Sequence, residues 1–487
     1  MMPVAYTQLL RMAMPEVMVV VTALVVVACD LLLLRGAGLR VRFAVAAALG
    51  VVGCCAAIAW LAMVSGPFDL MGGVFVATPL IGFVQVALLG LTVFTLLLSV
   101  DSTFTEHVGE FVFLVFLATV GMMFLVATQD ILVIFLSLEL LSLSLYVMTA
   151  LDKASGRSAE AGLKYFLFGG MSAAFLLFGF SLLYGLGDST NLGVIARSIR
   201  AGGITPLLVI AIVTTVVGFG FKVAAAPFHF WAPDVYEAAP APAAGFIASA
   251  SKLASFFVLF QILAVGFAGA EGSARWGMFG VGWTAVLAGV AALSMVWGNL
   301  AAIRQRGLRR LMAYSAVAHA GYMLVAVVAH TPQSLAALLY YVVTYGMATL
   351  GIFGVIAVVE RQVGSDALVG FDGLVKRSPL MSGCLFVFLL SLAGIPPLAG
   401  FFGKFYLFVG ALQSGGGLLW LVVLAIAMSA VSLYYYLQVL KRVFVLPGGD
   451  EAAIASGWTG MVVMLLAVGV VVLGCAPELL LRWIAGI

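Results

Sequence analysis

Four lysines, Lys164, Lys222, Lys252 and Lys404, lie in stretches otherwise apolar enough for the hydrocarbon core of a membrane, and Glu139, His229 and His319 share that setting. A charge placed there costs about 2.5–3.5 kcal/mol on insertion scales, so such residues commonly mark ion or proton paths. Amines, imidazoles and an acid in low dielectric can do one kind of chemistry well, which is proton exchange. Desolvation disfavours a charged form, a neighbour of opposite sign restores it, and interacting groups titrate as a unit. A Glu–Lys pair that can separate is therefore a switch. Together, the amine keeps its proton; apart, it releases it.

Glu139 sits in the run 131–150, whose other polar groups are the hydroxyls of Ser137, Ser142, Ser144, Tyr146 and Thr149, and it reads as the one clear intramembrane carboxylate. It serves either as the titrating partner of Lys222 or as a packing acid bonded to a neighbouring helix. Lys222 follows Gly218-Phe219-Gly220-Phe221 and precedes Ala-Ala-Ala-Pro-Phe-His-Phe-Trp. Lys252 is flanked by Ser249, Ser251 and Ser255, hydroxyls able to hold water beside an ammonium. Lys404 stands in Gly-Phe-Phe-Gly-Lys-Phe-Tyr. His319, with Tyr314 and Ser315 nearby in sequence, is either a relay or a satisfied core histidine, since its titration lies near neutrality. His229 is a relay or a structural donor to a carbonyl freed by the adjacent proline. Lys164 lies four residues past Glu160, so it joins the row or closes a helical ion pair. The expected line of sites at mid-membrane depth is Glu139, Lys222, Lys252, His319 and Lys404, bridged by water. His107 and His330 read as loop residues.

The elements that must hold these groups are helices. The chain of 487 residues is 64% hydrophobic and 9% charged. Soluble domains run near about 45–50% apolar and about 25% charged. Apolar runs punctuated by Gly, Pro and charge predict fourteen membrane segments, near 14–34, 43–64, 74–99, 111–128, 131–150, 160–186, 205–229, 242–267, 276–299, 309–330, 334–360, 380–412, 417–445 and 457–485. The fold class is an all-α polytopic membrane protein. Segments seven and twelve look discontinuous, carrying Pro227 and Pro396-Pro397 beside Lys222 and Lys404. Proline removes a backbone donor and clashes with the preceding turn. Breaks at matching places in two halves point to inverted repeats around a midplane ion site. The expected domains are 1–110 (segments 1–3), 111–267 (first five-helix repeat), 268–445 (second five-helix repeat) and 446–487 (segment 14).

Positive charge orients the segments. Alternate loops place Arg35, Arg40, Arg42, Lys153, Arg157, Arg304, Arg306, Arg309, Arg310, Arg361, Lys376, Arg377, Lys441 and Arg442 on one side, against Arg11, Arg197, Arg200, Arg275 and Arg482 on the other. Lys/Arg-rich loops stay cytoplasmic, so both termini are expected outside. The cysteines (Cys29, Cys54, Cys55, Cys384, Cys475) lie in apolar segments with no Cys-x-x-Cys spacing, and read as small buried hydrophobes rather than cluster, haem or zinc ligands. No Gly-rich nucleotide loop in strand–helix context occurs, and a net charge of +3 without a basic run gives no nucleic-acid signal. Val26-Val27-Ala28-Cys29 looks like a lipoprotein processing box, but the spans that follow make it part of an ordinary first helix. Moving a proton against 100 mV takes about 2.3 kcal/mol, and this chain offers no redox or nucleotide site to supply it.

Five stretches carry a family resemblance: Leu-Ser-Leu-Glu139-Leu-Leu-Ser; Gly220-Phe-Lys-Val-Ala-Ala-Ala-Pro-Phe-His-Phe-Trp-Ala-Pro-Asp-Val-Tyr-Glu; Ala-Ser-Lys252; Arg310-Leu-Met-Ala-Tyr-Ser; and Gly394-Ile-Pro-Pro-Leu-Ala-Gly-Phe-Phe-Gly-Lys404. They resemble the antiporter-like membrane subunits of proton-pumping NADH–quinone oxidoreductase (respiratory complex I) and of multi-subunit Na⁺/H⁺ antiporters, along nearly the whole chain. Pro-Asp-Val-Tyr-Glu-Ala-Ala-Pro-Ala-Pro, a lysine in the broken twelfth segment, and an end just after segment fourteen are similar to the N type of subunit. Ala239 departs from it, standing where that loop usually has glycine. The resemblance implies that quinone reduction elsewhere drives the chain and that K-like and M-like subunits are its neighbours. It also implies half-channels to either side of the bilayer. NADH, FMN, iron–sulfur clusters and quinone would bind partner subunits, and none of these cofactors this chain. It further implies Glu139 and Lys222 as a modulating pair, Lys252 as central relay and Lys404 as terminal site, with Lys164 and His319 on or near the axis. The Ala/Gly/Val-rich usage points to a bacterium, so the expected setting is its inner membrane. The alternatives are a sodium-moving antiporter subunit, a stand-alone solute carrier, and a non-pumping scaffold.

Overall fold

The computed structural model describes residues 10–63, 67–415, 417–448, 454 and 456–485, which form helices joined by short links. In chain order these are α1 (Met14–Leu32), α2 (Leu39–Met63), α3 (Pro79–Ser99), α4 (Val108–Val126), α5 (Ile131–Thr149), α6 (Gly156–Gly187), α7 (Leu192–Gly202), α8 (Pro206–Lys222), α9 (Trp231–Ala238), α10 (Ala241–Ala248) and α11 (Ala250–Gln261). They continue with α12 (Trp283–Ile303), α13 (Leu308–Ala329), α14 (Pro332–Val363), α15 (Leu374–Arg377), α16 (Pro379–Ala393), α17 (Ala399–Gln413), α18 (Leu419–Phe444), α19 (Gly457–Cys475) and α20 (Glu478–Ala485). Among the described residues, 12 helical stretches are long and apolar enough to span a membrane, and Pro206–Lys222 and Pro379–Ala393 are shorter apolar helices. Two antiparallel hairpins, Phe68–Leu70 with Phe75–Ala77 and Ser273–Arg275 with Met278–Gly280, were not legible as strands. The link expected at 187–204 is largely the amphipathic helix α7, whose Leu192, Ile195, Ala196 and Ile199 are buried.

Local chemistry sets the helix starts. Asp130 caps α5 by accepting the N–H groups of Leu132 and Val133 at 2.9 and 3.1 Å. Thr331 and Ser334 form a reciprocal capping box at the head of α14. The breaks fall where proline demanded them. α8 stops at Lys222, ahead of Pro227, and Gly394 closes α16 with a left-handed φ of 87° before Pro396 and Pro397. Each break holds a cis Xaa–Pro peptide, Ala226-Pro227 and Pro396-Pro397. A third discontinuity is unforeseen. α10 and α11 part at Ser249, where Ser249 and Ser251 donate their hydroxyls back to the carbonyls of Gly245 and Ile247 at 2.7 Å each. Such back-bonding bends helices.

The chain divides into two compact units. The first runs through Gly218 and includes Leu253–Ala270; the second holds Phe219–Lys252 and the chain from Glu271 onward. In the first, α1 packs on α2 and α4, and α4 on α5. In the second, α13 lies against α12, α14 and α17, and α14 also meets α10, α16 and α19. Nearly every residue of α13 is buried. Small residues permit the close crossings: a Cβ on Gly351 would stand 2.2 Å from the Phe388 ring, and one on Gly474 2.2 Å from the Pro397 carbonyl oxygen. At one end of the second unit, Arg309 grips both carboxylate oxygens of Glu360 and the Ala239 carbonyl, while Arg310 bonds Asp234 and Glu237 at 2.9 and 2.7 Å. These clamps fix α9, which joins the Lys222 break to the rest of the unit.

Candidate functional site

Three of the expected residues converge inside the second unit. Lys252, at the start of α11, is 1% exposed, and its Nζ donates to the Ala316 carbonyl of α13 at 2.8 Å. His319, three residues along α13, is fully buried. Its Nδ1 lies 2.6 Å from Tyr341 Oη and its Nε2 3.1 Å from Tyr436 Oη. Tyr436 Oη in turn meets Ser315 Oγ at 2.5 Å. Lys404, on α17, is 4% exposed and donates to the Ala393 carbonyl at 3.1 Å and to Ser429 Oγ at 2.7 Å. Gly394 brings the broken backbone close to this amine, since a Cβ there would lie 3.1 Å from Lys404 Cδ.

Tyrosines join the three. Lys252 Nζ stands 5.5 Å from the Tyr345 ring centroid, and that ring is 5.1 Å from the His319 ring. On the other side, Lys404 Nζ stands 5.0 Å from the Tyr322 ring, which is 5.5 Å from His319. Each ammonium thus rests against an aromatic ring, an attraction worth about 2 kcal/mol or more when desolvated. A hydroxyl on each ring nitrogen suits either imidazole tautomer, because a tyrosine can donate to the bare nitrogen and accept from the protonated one. Asn299 braces the array, donating to Tyr322 Oη at 3.1 Å and accepting from Tyr435 Oη at 3.1 Å.

Lys222 is half-buried at the end of α8, and Glu139 half-buried in the middle of α5 in the first unit. Lys164 closes a 2.8 Å ion pair with Glu160 on an open face of α6, its side chain 41% exposed. His229 is buried against Phe230, Trp297 and Tyr314, its Nδ1 without a hydrogen-bond partner among the described residues. Tyr314, a sequence neighbour of His319, therefore turns toward His229. Ser315 reaches His319 through Tyr436.

Sequence reasoning overlooked Tyr322, Tyr341, Tyr345, Tyr436 and Ser429. Their signal was a set of hydroxyls in otherwise apolar runs, with Tyr341 and Tyr345 one helical turn apart. It also missed two buried acids, so Glu139 is not the sole candidate carboxylate. Asp30 accepts a bidentate pair from Arg42 at 2.7 and 2.6 Å and the Gly109 N–H at 2.9 Å. Glu16 accepts from Gln85 Nε2 at 2.7 Å. Both sit near helix ends, where an acid in sequence looks like a boundary residue.

Comparison with known proteins places this arrangement. The family model described as NADH:quinone oxidoreductase/Mrp antiporter, TM, matches residues 128–429. NADH-quinone oxidoreductase subunit N 2 of Acidobacterium capsulatum is 53% identical over 495 residues, covering 99% of each chain. NADH-quinone oxidoreductase subunit N of Desulforamulus reducens is 41% identical over 369 residues, covering 76% of this chain and 75% of its own. A chain of respiratory complex I from Thermus thermophilus with bound aureothin superposes with a TM-score of 0.80 at 33% identity, covering 96% of this chain and 98% of its own. A chain of the Mrp complex from a Dietzia species shares the fold, with a TM-score of 0.80 at 21% identity over 98% of this chain and 95% of its own. Full-length identity above half, on a helical scaffold that matches complex I, leads to one conclusion: the chain belongs to the subunit N family of NADH–quinone oxidoreductase, antiporter-like membrane subunits of respiratory complex I.

Proposed function

We propose that this chain moves protons across a bacterial inner membrane, driven by quinone reduction in other subunits of the complex. The observation that carries the reading is the buried sequence Lys252, Tyr345, His319, Tyr322, Lys404, in which two amines flank one imidazole through aromatic rings. Lys252 acts as central relay, His319 as the link and Lys404 as terminal site. Glu139 and Lys222 act as modulating groups, and Lys164 and His229 complete the set of proton-translocating side chains. Fourteen crossings arranged as two inverted five-helix repeats, both termini periplasmic, complete the reading. NADH, FMN, iron–sulfur clusters and quinone belong to partner subunits, with K-like and M-like chains as neighbours.

The test uses the whole complex in proteoliposomes, measuring NADH–quinone electron transfer and protons moved. Lys252→Met should assemble, yet lose pump-linked proton transfer by roughly 10²-fold or more, the contribution of a positioned proton-transfer group. Normal pumping by that variant would turn the assignment toward a scaffold. Sodium-dependent transport that survives it would turn it toward an antiporter.

A further inference from the structure

The Tyr345 ring lies beside two of the buried groups, 5.5 Å from Lys252 Nζ and 5.1 Å from the His319 ring. Where that ring rests depends on what holds its far end. Tyr341, one turn earlier on α14, is anchored there, its hydroxyl 2.6 Å from His319 Nδ1. Tyr345 is 2% exposed, yet its Oη has no hydrogen-bond partner among the described residues. Thr349, one turn later and fully buried, lies against the Tyr345 hydroxyl, and its own Oγ1 is likewise without a partner.

The state of Thr349 is unusual for a threonine inside a helix. Such a hydroxyl ordinarily donates to the carbonyl one turn back. Thr92, Thr119 and Thr149 do so at 2.9, 2.8 and 2.9 Å. Thr344, on α14 itself, donates to the Tyr340 carbonyl at 2.9 Å. For Thr349 the equivalent acceptor is the Tyr345 carbonyl, and the hydroxyl does not take it. Buried polar atoms without partners are uncommon. Here two occur on side chains that share one helix face, four residues apart. Each is the hydroxyl that the other lacks.

We propose that Thr349 is a positioning residue for the pump: in the working complex its hydroxyl bonds Tyr345 Oη and holds the ring beside Lys252 and His319. This role rests on the reading of those two residues as neighbouring proton sites. A ring tied at its backbone and at its hydroxyl keeps its place under the ammonium, where the attraction depends on the ring's face. A ring tied only at its backbone rocks, and both contacts loosen together. Thr349 thus acts through Tyr345.

The experiment compares Thr349→Val, Thr349→Ser, Tyr345→Phe, the Thr349→Val/Tyr345→Phe pair, Thr344→Val and Lys252→Met in the reconstituted whole complex. Valine keeps the threonine's shape and phenylalanine keeps the ring, so both should assemble and carry electrons normally. Each should slow pump-linked proton transfer by about threefold to tenfold, or about 0.7–1.4 kcal/mol at 1.36 kcal/mol per tenfold. That is the net worth of one hydrogen bond. Serine at 349 should restore the rate, and Thr344→Val should pump normally. The double variant should be no slower than the slower single one, because the two hydroxyls act as a unit. Normal pumping by Thr349→Val beside a defective Lys252→Met overturns the proposal alone. A defect that serine leaves unrepaired, that adds to the Tyr345→Phe defect, or that Thr344→Val shares overturns it too, marking the threonine as helix packing. Normal pumping by Lys252→Met overturns the relay reading together with it.

Discussion

His319 is held from both sides by phenols, and its neighbours differ in what they can do. Tyr436 meets His319 Nε2 at 3.1 Å and Ser315 Oγ at 2.5 Å. Tyr436→Phe leaves His319 Nε2 with an unmet bond in a fully buried place, a loss of about 1–3 kcal/mol. The expected result is slower pumping with assembly retained, measured as protons per electron in reconstituted complex. Tyr340→Phe is the matched control, because its hydroxyl donates to the Leu473 carbonyl at 2.8 Å, away from the imidazole. Equal pumping by the two variants would mean that the phenol on His319 is packing only. At this scale the sequence was informative about lysines and poor about their partners. Lysine in an apolar run announces itself through its insertion cost, whereas tyrosine costs little there and looks like any aromatic. Lys164 was ambiguous by spacing, and it does form the Glu160 pair.

Helix breaks were legible because proline forbids what surrounds it. Segments seven and twelve interrupt beside Lys222 and Lys404 as Pro227 and Pro396-Pro397 require. The bend at Ser249 was not legible, since serine in a helix either bends it or does not, according to tertiary room. Close crossings were equally hidden, because glycine contacts depend on which helix arrives. Gly403 is one such contact: a Cβ there would lie 2.3 Å from Tyr341 Cδ2. Gly403→Ala must push the Tyr341 ring, and with it the phenol 2.6 Å from His319 Nδ1. Overpacking of this kind costs about 1–3 kcal/mol. The expected outcome is a pumping defect together with easier thermal release of this subunit from the complex. A release temperature and pumping rate both like the wild type would show that the ring yields without consequence.

The whole chain reads as a multi-span membrane protein from composition alone, and its family membership follows from full-length similarity. Its orientation rests on the loop charges. Single cysteines replacing Arg157 and Arg197, introduced after removal of the exposed Cys55 and Cys475, report the two sides. An impermeant thiol reagent added to intact cells should label position 197 and spare position 157. The opposite pattern would invert the assigned topology. The two buried amines share one further property: each leans on a main-chain oxygen, Ala316 for Lys252 and Ala393 for Lys404. No side-chain exchange deletes those acceptors, so alanine scanning is blind to them and drift at positions 316 and 393 leaves them in place. Ester substitution of the peptide link, which weakens a carbonyl without altering any side chain, is the perturbation that would reach them.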